Sequence, residues 1–419
     1  MNINKILKEE IELINPSAEV FKNIEKTADK FCVDLRKKLR AKKIKAEVFI
    51  GGSLAKATLI KKKKYDVDVF VRFDKKYENK EISKLLGRVL GKARKIHGSR
   101  DYYQLIINGI VIEVVPVLKI AKPEQAENIT DLSYFHINYI KNKIRKDKRL
   151  ADEIMLAKTF CYAQDCYGAE SYIHGFSGYA LELLICYYRS FLRFVKVVAD
   201  SGKEKIIIDD SKFYKNKNEV LRELNESKLQ SPVILIDPTF KDRNALAGLS
   251  SETLEKFKKV CRDFLKKPCF GFFEKKNVFE ELDKKYGKKL RVVCVKTSKQ
   301  AGDIAGSKSR KFFGFFCGKL GREFDIKLKE FDYDEVKNIA SYYFVLDKKG
   351  EEVVRGPGVS DAGNLKRFKK AHPKSFVKNK IAYAKIKHEL NFEKFMKFFL
   401  KKYGKVVKEM RVKEVKLVE

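Results

Sequence analysis

The stretch that most constrains this chain is a pair of carboxylates inside an apolar strand. Tyr65-Asp66-Val67-Asp68-Val69-Phe70-Val71 is rich in β-branched and aromatic residues, which marks an extended segment. Side chains two apart on a strand share a face. Asp66 and Asp68 therefore project together, and Val67 and Val69 turn the other way. Two adjacent carboxylates in such apolar surroundings are costly unless a cation compensates them. Separated from Asp66 by twelve residues, the chain upstream reads Val48-Phe49-Ile50-Gly51-Gly52-Ser53. The apolar triplet is a short buried strand, and the glycines let the backbone approach a ligand closely. Leu54 to Ile60 is compatible with a short helix. A helix opening on Gly-Ser offers free N–H groups and a positive dipole end to a phosphate. A hard cation such as Mg²⁺ takes carboxylate oxygens together with phosphates. The local reading is a phosphate cradle beside a metal-binding dyad; the bland alternative is an edge strand with solvated aspartates.

Charge narrows the partners. The 419 residues carry a formal net charge of +36. Such a field attracts polyanions, with RNA or DNA first among them; the alternative is a general lysine bias without a site. The length suits roughly two to four domains. Met1-Asn2-Ile3-Asn4-Lys5 leads into a charged amphipathic segment rather than a secretory signal. The most apolar long run, Gly178 to Ala199, is interrupted by Glu182, Arg189, Arg193 and Lys196, so no membrane span is expected. The eight cysteines form no Cys-x-x-Cys pair and read as reduced, packed thiols of a cytoplasmic protein, without a zinc site.

Along the chain, Asn15-Pro16-Ser17 is a turn with Ser17 as N-cap of a helix running to about Lys45. Val20, Ile24, Ala28, Phe31, Leu35 and Leu39 give that helix a face to pack on the sheet. A further helix is expected from about Lys80 to Ile96. Tyr102–Ile107 and Val111–Val117 read as strands joined at Asn108-Gly109, a hairpin signal. Glu113 is a single carboxylate in that second apolar strand. Beside Asp66 and Asp68 it becomes a third metal-site carboxylate; its alternative is a solvent-facing flank. From about Leu150 to Ala199 the pattern is helical, broken at Tyr167-Gly168-Ala169-Glu170. Val233 to Asp237 is a strand ended by Pro238, and a helix runs to about Lys266. Later, Leu290–Lys296, Glu323–Glu330 and Ala340–Asp347 read as strands, with helices at Lys308–Phe316 and Asp334–Ile339. Residues 366–419 hold 18 Lys/Arg against 5 Asp/Glu, interleaved with aromatics that read as core rather than as stacking platforms. The basic residues suit duplex RNA read by shape and backbone, or simply a solvated amphipathic helix.

Gly52-Ser53, a dozen residues, then Asp-x-Asp on a strand resembles the nucleotidyltransferase superfamily of the DNA polymerase β type. Gly-Ser-Leu-Ala-Lys-Ala-Thr (52–58) resembles the signature of the archaeal, class I CCA-adding enzymes, the tRNA nucleotidyltransferases. The resemblance is most specific through residue 270 and looser beyond. It implies an α+β protein: a polymerase β-like nucleotidyltransferase head with a mixed sheet and helices (1–148), a helical neck (149–275), a small α+β body (276–365) and a basic C-terminal tail (366–419).

The resemblance also implies template-independent addition of C, C and A to the tRNA 3′ end from CTP and ATP. Asp66, Asp68 and Glu113 would hold two Mg²⁺ ions. Glu113 stands where that family usually has Asp, keeping the charge and adding a methylene. Gly52, Ser53, Lys56, Lys158 and Tyr167 would bind the triphosphate and ribose. Ser133, where Thr is common, and His136 would contact the nucleotide; on residue type alone they read as an N-cap and a surface histidine. Arg243, in Asp-Pro-x-x-x-x-Arg-Asn (237–244), would read the base edge; its alternative is a helix-start arginine paired with Asp237 or Asp242. Partners would be the tRNA acceptor stem and T-arm, with a homodimer compatible. Two rivals stay open: another template-independent RNA polymerase of the poly(A) or uridyl type, and a non-catalytic RNA-binding homologue.

Overall fold

The computed structural model describes residues 2–418 except 63, 79, 80, 299–301, 336 and 389. The chain forms two compact units, Met1–Lys276 and Asn277–Glu419.

In the first unit, helices α1 (Ile3–Ile14) and α2 (Ala18–Ala41) precede β1 (Ala46–Ile50), the one-turn α3 (Gly52–Ala55) and β2 (Asp66–Phe73). Then come α4 (Ile82–Leu90), β3 (Arg94–Ile96), β4 (Tyr102–Ile107) and β5 (Ile110–Leu118). The five strands form one mixed sheet in the order β1-β2-β5-β4-β3, with β2 and β5 parallel and the other pairs antiparallel. Ser17 caps α2 by accepting from the Val20 N–H at 3.3 Å, as its sequence position predicts. One side of the sheet is sealed: Val67, Val69, Ile112 and Val114 are buried with Ile24, Ala28, Leu35 and Leu39 of α2 and with Leu86 of α4. The opposite face carries Asp66, Asp68 and Glu113.

Two expectations in this region are corrected. The helix after Ser53 stops at Ala55 instead of reaching Ile60. Ala57 adopts φ +53°, and the Thr58 N–H turns back to the Ser53 carbonyl at 3.0 Å. The helix expected to reach Ile96 ends at Leu90, because Gly91 takes φ +70° and Arg94–Ile96 pairs with β4; Lys80, its expected start, lies outside the described residues. The hairpin at Asn108-Gly109 forms with both residues at positive φ, the backbone that such a turn requires.

The same unit continues with α5 (Ser133–Lys146), α6 (Arg149–Ala163), α7 (Gly178–Tyr188), α8 (Phe191–Asp200), β6 (Ile206–Ile208), α9 (Lys217–Glu223), α10 (Glu226–Leu229), β7 (Val233–Asp237), β8 (Phe240–Asn244) and α11 (Ser251–Lys266). A second core gathers Phe160, Phe176, Phe191, Phe194, Phe257 and Phe264. Leu7 and Ile14 of α1 belong to this core rather than to that of the sheet. The first helix thus packs with the helical neck, not with the head to which residues 1–148 were assigned. No helix among the described residues is long and apolar enough to cross a membrane.

The second unit contains α12 (Val278–Tyr286), β9 (Leu290–Thr297), α13 (Gly302–Leu320), β10 (Phe324–Asp334), β11 (Ile339–Lys348), β12 (Glu352–Gly358), α14 (Ala362–Ala371), β13 (Phe376–Lys378), β14 (Ile381–Ile386), α15 (Phe392–Glu409) and β15 (Val412–Val418). Its main sheet runs β10-β11-β9-β15, all antiparallel. The helix expected over Asp334–Ile339 is instead the turn of the β10–β11 hairpin, with Asn338 at φ +54°; Val336 lies outside the described residues. The expected separation of 276–365 from 366–419 gives way to one fold. β15 is hydrogen-bonded to β9, and Phe395 and Phe399 of α15 pack with Phe312 and Phe316 of α13. Phe392, Phe395 and Phe399 of α15 are core, as read, whereas Phe398 is exposed; Lys394, Lys397, Lys401 and Lys405 stay exposed as well.

A chain ending at Met410 lacks β15 and leaves β9 with one neighbour. Its second unit should lose at least about 3 kcal/mol of stability, from the strand's ladder and the burial of Val412, Val415 and Leu417. The readout is a lower urea midpoint with faster amide exchange in β9; unchanged exchange there would contradict the strand's role in the sheet.

Candidate active site

Gly51 donates its N–H to the Asp68 carbonyl at 2.8 Å, which holds the turn after β1 against β2. Gly52 follows at φ +57°, and a Cβ built there would lie 1.8 Å from Asp68 Oδ2. Only glycine lets the Asp68 carboxylate rest against this backbone. Asp66 and Asp68 share a face as the strand period predicts. Asp66 is half exposed, with Lys62 Nζ 3.2 Å from its Oδ1. Burial, and then the charge of Asp66, push the Asp68 carboxyl up to about 6.

Parallel pairing of β2 with β5 sets Glu113 directly opposite Asp68. Gln104 of β4, opposite Glu113 on its other side, donates Nε2–H to Glu113 Oε1 at 2.7 Å. Among the described residues no three His, Cys, Asp or Glu side chains converge as a group that could hold a metal ion. The donor set still suits Mg²⁺. Hard carboxylate oxygens, with a partly buried charge at Asp68 that nearby lysines only partly offset, suit a cation held jointly with phosphate oxygens.

Across from the two aspartates lie Lys158 of α6 and Glu182 of α7. Lys56 Nζ reaches Glu182 Oε2 at 2.7 Å, and Lys158 Nζ reaches Glu182 Oε1 at 2.8 Å and Thr58 Oγ1 at 3.1 Å. Tyr167 sits in a tight loop between α6 and α7, in which Gly168 donates to the Phe176 carbonyl and Phe176 to that of Cys166, both at 2.8 Å. Its hydroxyl lies against Gly178, where a Cβ would come within 2.8 Å of it, and burial raises its pKa. Gly52, Ser53, Lys56, Asp66, Asp68, Lys158 and Tyr167, drawn from four separate stretches of sequence, line one cleft.

Ser133, His136 and Arg243 do not line that cleft. Ser133 is the first residue of α5, in a helix that no side chain caps, so it is not the expected N-cap. His136 is not on the surface: its side chain is 13% exposed and stacks on Tyr179 with ring centroids 4.0 Å apart. Burial lowers its pKa against the opposing pull of Asp237. Arg243 lies on β8 rather than at a helix start, and its Nη1 meets Asp237 Oδ2 at 2.7 Å, the first of the two partners anticipated. Asp237 is fully buried and also accepts from the Tyr179 hydroxyl at 3.0 Å and from the Thr239 N–H at 2.8 Å. His136 Nε2 is 3.0 Å from Asp237 Oδ2, an ion-pair distance without hydrogen-bond geometry. Burial opposes the Asp237 charge, but His136, the Arg243 cation and the Thr239 N–H outweigh it and hold the carboxyl well below the usual range. Tyr179 also lines the cleft, so one ring joins the two groups of residues.

Sequence reasoning gave no role to Glu182, Tyr179 or Thr58, and Asp237 only as an alternative partner of Arg243. The signal for Glu182 was present: a carboxylate among Ala180, Leu181, Leu183, Leu184 and Ile185 is as anomalous as Glu113 in its strand.

Residues 32–133 match the nucleotidyltransferase domain, and residues 152–274 match the second domain of tRNA nucleotidyltransferases. A CCA-adding enzyme of Nanoarchaeum equitans is 32% identical over 337 residues, covering 79% of this chain and 81% of that protein. Those of Archaeoglobus fulgidus and Methanocaldococcus jannaschii are each 30% identical, over 67% and 70% of this chain and 60% and 64% of their own lengths. Among solved structures, a cytoplasmic RNA terminal U-transferase superposes with a TM-score of 0.51 at 15% identity, covering 66% of this chain and 99% of its own. A poly(U) polymerase does so with a TM-score of 0.51 at 15% identity, over 65% and 98%. Such low identity speaks for the fold alone, a polymerase β-like nucleotidyltransferase fold in an α+β chain. The two matched domains hold every residue of the cleft, and the first relative is matched over most of its length: the chain belongs to the family of archaeal CCA-adding enzymes and is a tRNA nucleotidyltransferase.

Proposed function

We propose that this enzyme adds C, C and A in turn to the 3′ end of tRNA, from CTP and ATP and without a nucleic-acid template. The observation that carries the reading is the meeting, in one cleft, of the Gly52-Ser53 turn with Lys56, the Asp66–Asp68 pair, and Lys158 and Tyr167 from the helical part. Backbone N–H groups at Gly52 and Ser53, with Lys56, Lys158 and the Tyr167 hydroxyl, would hold the triphosphate and ribose. Asp66 and Asp68, joined by Glu113 from the neighbouring strand, would bind Mg²⁺, which in a two-ion arrangement stabilises both the attacking 3′-oxygen and the leaving phosphate oxygen. Gln104 would orient the longer Glu113 side chain by fixing one of its oxygens. Ser133 and His136 would flank the nucleoside, and Arg243, braced by Asp237, would meet the base edge with planar donors. The exposed lysines of 366–419 would track the phosphates of the acceptor stem and T-arm, binding that weakens with salt.

Three transcripts test the activity: tRNA ending at the discriminator base, in C, and in CC, each offered one nucleotide at a time with Mg²⁺. The expected result is C on the first two and a single A on the third. Long homopolymer tails would mean a different transferase, and no incorporation beside salt-sensitive tRNA binding a non-catalytic homologue.

Asp68→Asn should reduce incorporation at least about a thousandfold, yet raise stability without metal. Between the ordinary carboxyl value of 3.8 and about 6 the native state binds more protons than the unfolded chain. Stability therefore falls as pH rises through that window, and the cost is complete above it. Removing the charge should return about 1–3 kcal/mol at pH 7. Thermal melts in chelator should show a higher Tm for the variant; a lower one would contradict the burial cost assigned to Asp68.

At low Mg²⁺, activity should fall as pH drops through about 6 and Asp68 takes up its proton. Proton and cation compete for one carboxylate, so tenfold more Mg²⁺ should move that acid limb down by as much as about one pH unit. A limb indifferent to Mg²⁺ would separate Asp68 from the ion.

A further inference from the structure

Glu182 has neither side-chain exposure nor an apolar neighbour's reason to be where it is. It is 0% exposed on α7 among Ala180, Leu181, Leu183, Leu184 and Ile185, which are themselves buried. Its two oxygens are divided between two ammonium groups, Lys56 at 2.7 Å and Lys158 at 2.8 Å. These lysines come from different parts of the unit, one from the turn after α3 and one from α6. Thr58, also buried, takes a second proton of Lys158. Buried ion pairs are poor stabilisers, because desolvation offsets the attraction and an apolar residue of similar volume usually serves a core as well. What leucine could not do at position 182 is hold two cations side by side at the wall of a cleft. Burial works against the Glu182 charge, but Lys158 and Lys56 outweigh it and keep the carboxyl below its ordinary value. A lysine side chain has four flexible bonds and loses substantial entropy on fixing its head; here that ordering is in place before any ligand arrives.

We propose that Glu182 is the positioning residue of the triphosphate site, clamping the ammonium groups of Lys56 and Lys158 so that together they meet the phosphate chain of the incoming nucleotide. One carboxylate against two lysines leaves a unit of positive charge for the phosphates. Both cations are oriented by protein rather than by ligand, which is how preorganised charge is made effective in a partly dry site. The clamp is blind to the base, so CTP and ATP depend on it equally. The inference rests on the reading of Lys56 and Lys158 as triphosphate ligands.

The test is calorimetric titration of CTP and of ATP into the full-length enzyme with Mg²⁺, alongside steady-state incorporation. For Glu182→Gln, Kd and KM should rise about tenfold or more for both nucleotides, while kcat at saturation changes less than about threefold and tRNA affinity is unchanged. In a Lys158→Met background the same substitution should cost less than about threefold, because its effect passes through that lysine. Native CTP affinity in a Glu182→Gln protein with a native urea midpoint overturns the proposal, as does full additivity with Lys158→Met. If Glu182→Gln folds poorly, Glu182→Asp keeps the buried charge and moves it back by one methylene. Weakened CTP binding with intact tRNA binding in that variant supports the clamp, and native CTP affinity overturns it. Lys56→Met and Lys158→Met distinguish the two levels: if neither weakens CTP, the triphosphate reading itself falls, and if both do while the Glu182 variants do not, only the clamp falls.

Discussion

The parallel pairing of β2 with β5 is the constraint on which the active site depends. It sets Asp68 opposite Glu113 and Asp66 opposite Val111, and so gathers carboxylates onto one face. The same register puts Val67, Val69, Ile112 and Val114 on the other face, where all four are buried against α2 and α4. A slip of one residue would send the carboxylates into that core and the valines into the cleft. The apolar side therefore fixes the geometry of the acidic side. Local charge repulsion, which taken alone would drive the aspartates apart, is held in check by burial elsewhere. Burial first, and then the charge of Asp66, push the Asp68 carboxyl up to about 6.

Placing such a site on one face of a sheet leaves half of it to be supplied by other elements. α6 and α7 bring Lys158, Tyr167 and Glu182 over the aspartates, and α1 packs with those helices although it begins the chain. The seam between sheet and helices is polar where it lines the cleft. Lys56 belongs to the sheet side and Glu182 to the helical side, so separating them would take one of two ammonium partners from a buried carboxylate and leave it to Lys158 alone. Head and neck thus share a charged joint, which is why the cleft and the packing of the unit are not independent properties.

Much of this was legible in the sequence, for reasons that are themselves physical. The β2 alternation, the Ser17 cap, the Asn108-Gly109 hairpin and the anomaly of Glu113 are local signals. Each rests on a spacing or a residue type whose meaning does not depend on distant contacts. The failures share a different origin. Ala57 is a residue of high helix propensity that takes positive φ because the Thr58 N–H returns to Ser53. Gly91 ends α4 early because Arg94–Ile96 gains a partner in β4. Asp334–Ile339 is a hairpin turn since both its flanks extend into strands. In each, hydrogen bonding outside the helical pattern overrides local preference. His136 was misjudged for a related reason: its burial comes from Tyr179 and Asp237, 43 and 101 residues away in sequence, and no spacing on α5 announces them.

The Asp237 group also bears on how one site could accept two different bases, if Arg243 reads the base edge as proposed. Asp237 accepts a hydrogen bond from the Arg243 guanidinium at 2.7 Å, and the guanidinium lies 5.5 Å from the centroid of the Tyr179 ring. The remaining N–H groups can only donate. On the Watson–Crick edge cytosine and adenine each present a ring nitrogen acceptor beside an amino group, whereas uracil and guanine present a ring N–H beside a carbonyl. A rigid donor in one place meets an acceptor in the first pair and another donor in the second, and two buried donors facing each other leave both unsatisfied. Rejecting U and G in this way needs no change in the protein between C and A. Choosing between C and A does need something more, because their ring acceptors sit at different distances from the ribose. A group pinned by Asp237, Tyr179 and Thr239 cannot follow that difference by itself. On that reading the varying component would be the RNA end, one nucleotide longer at each step, while the protein's donors stay where the buried carboxylate holds them.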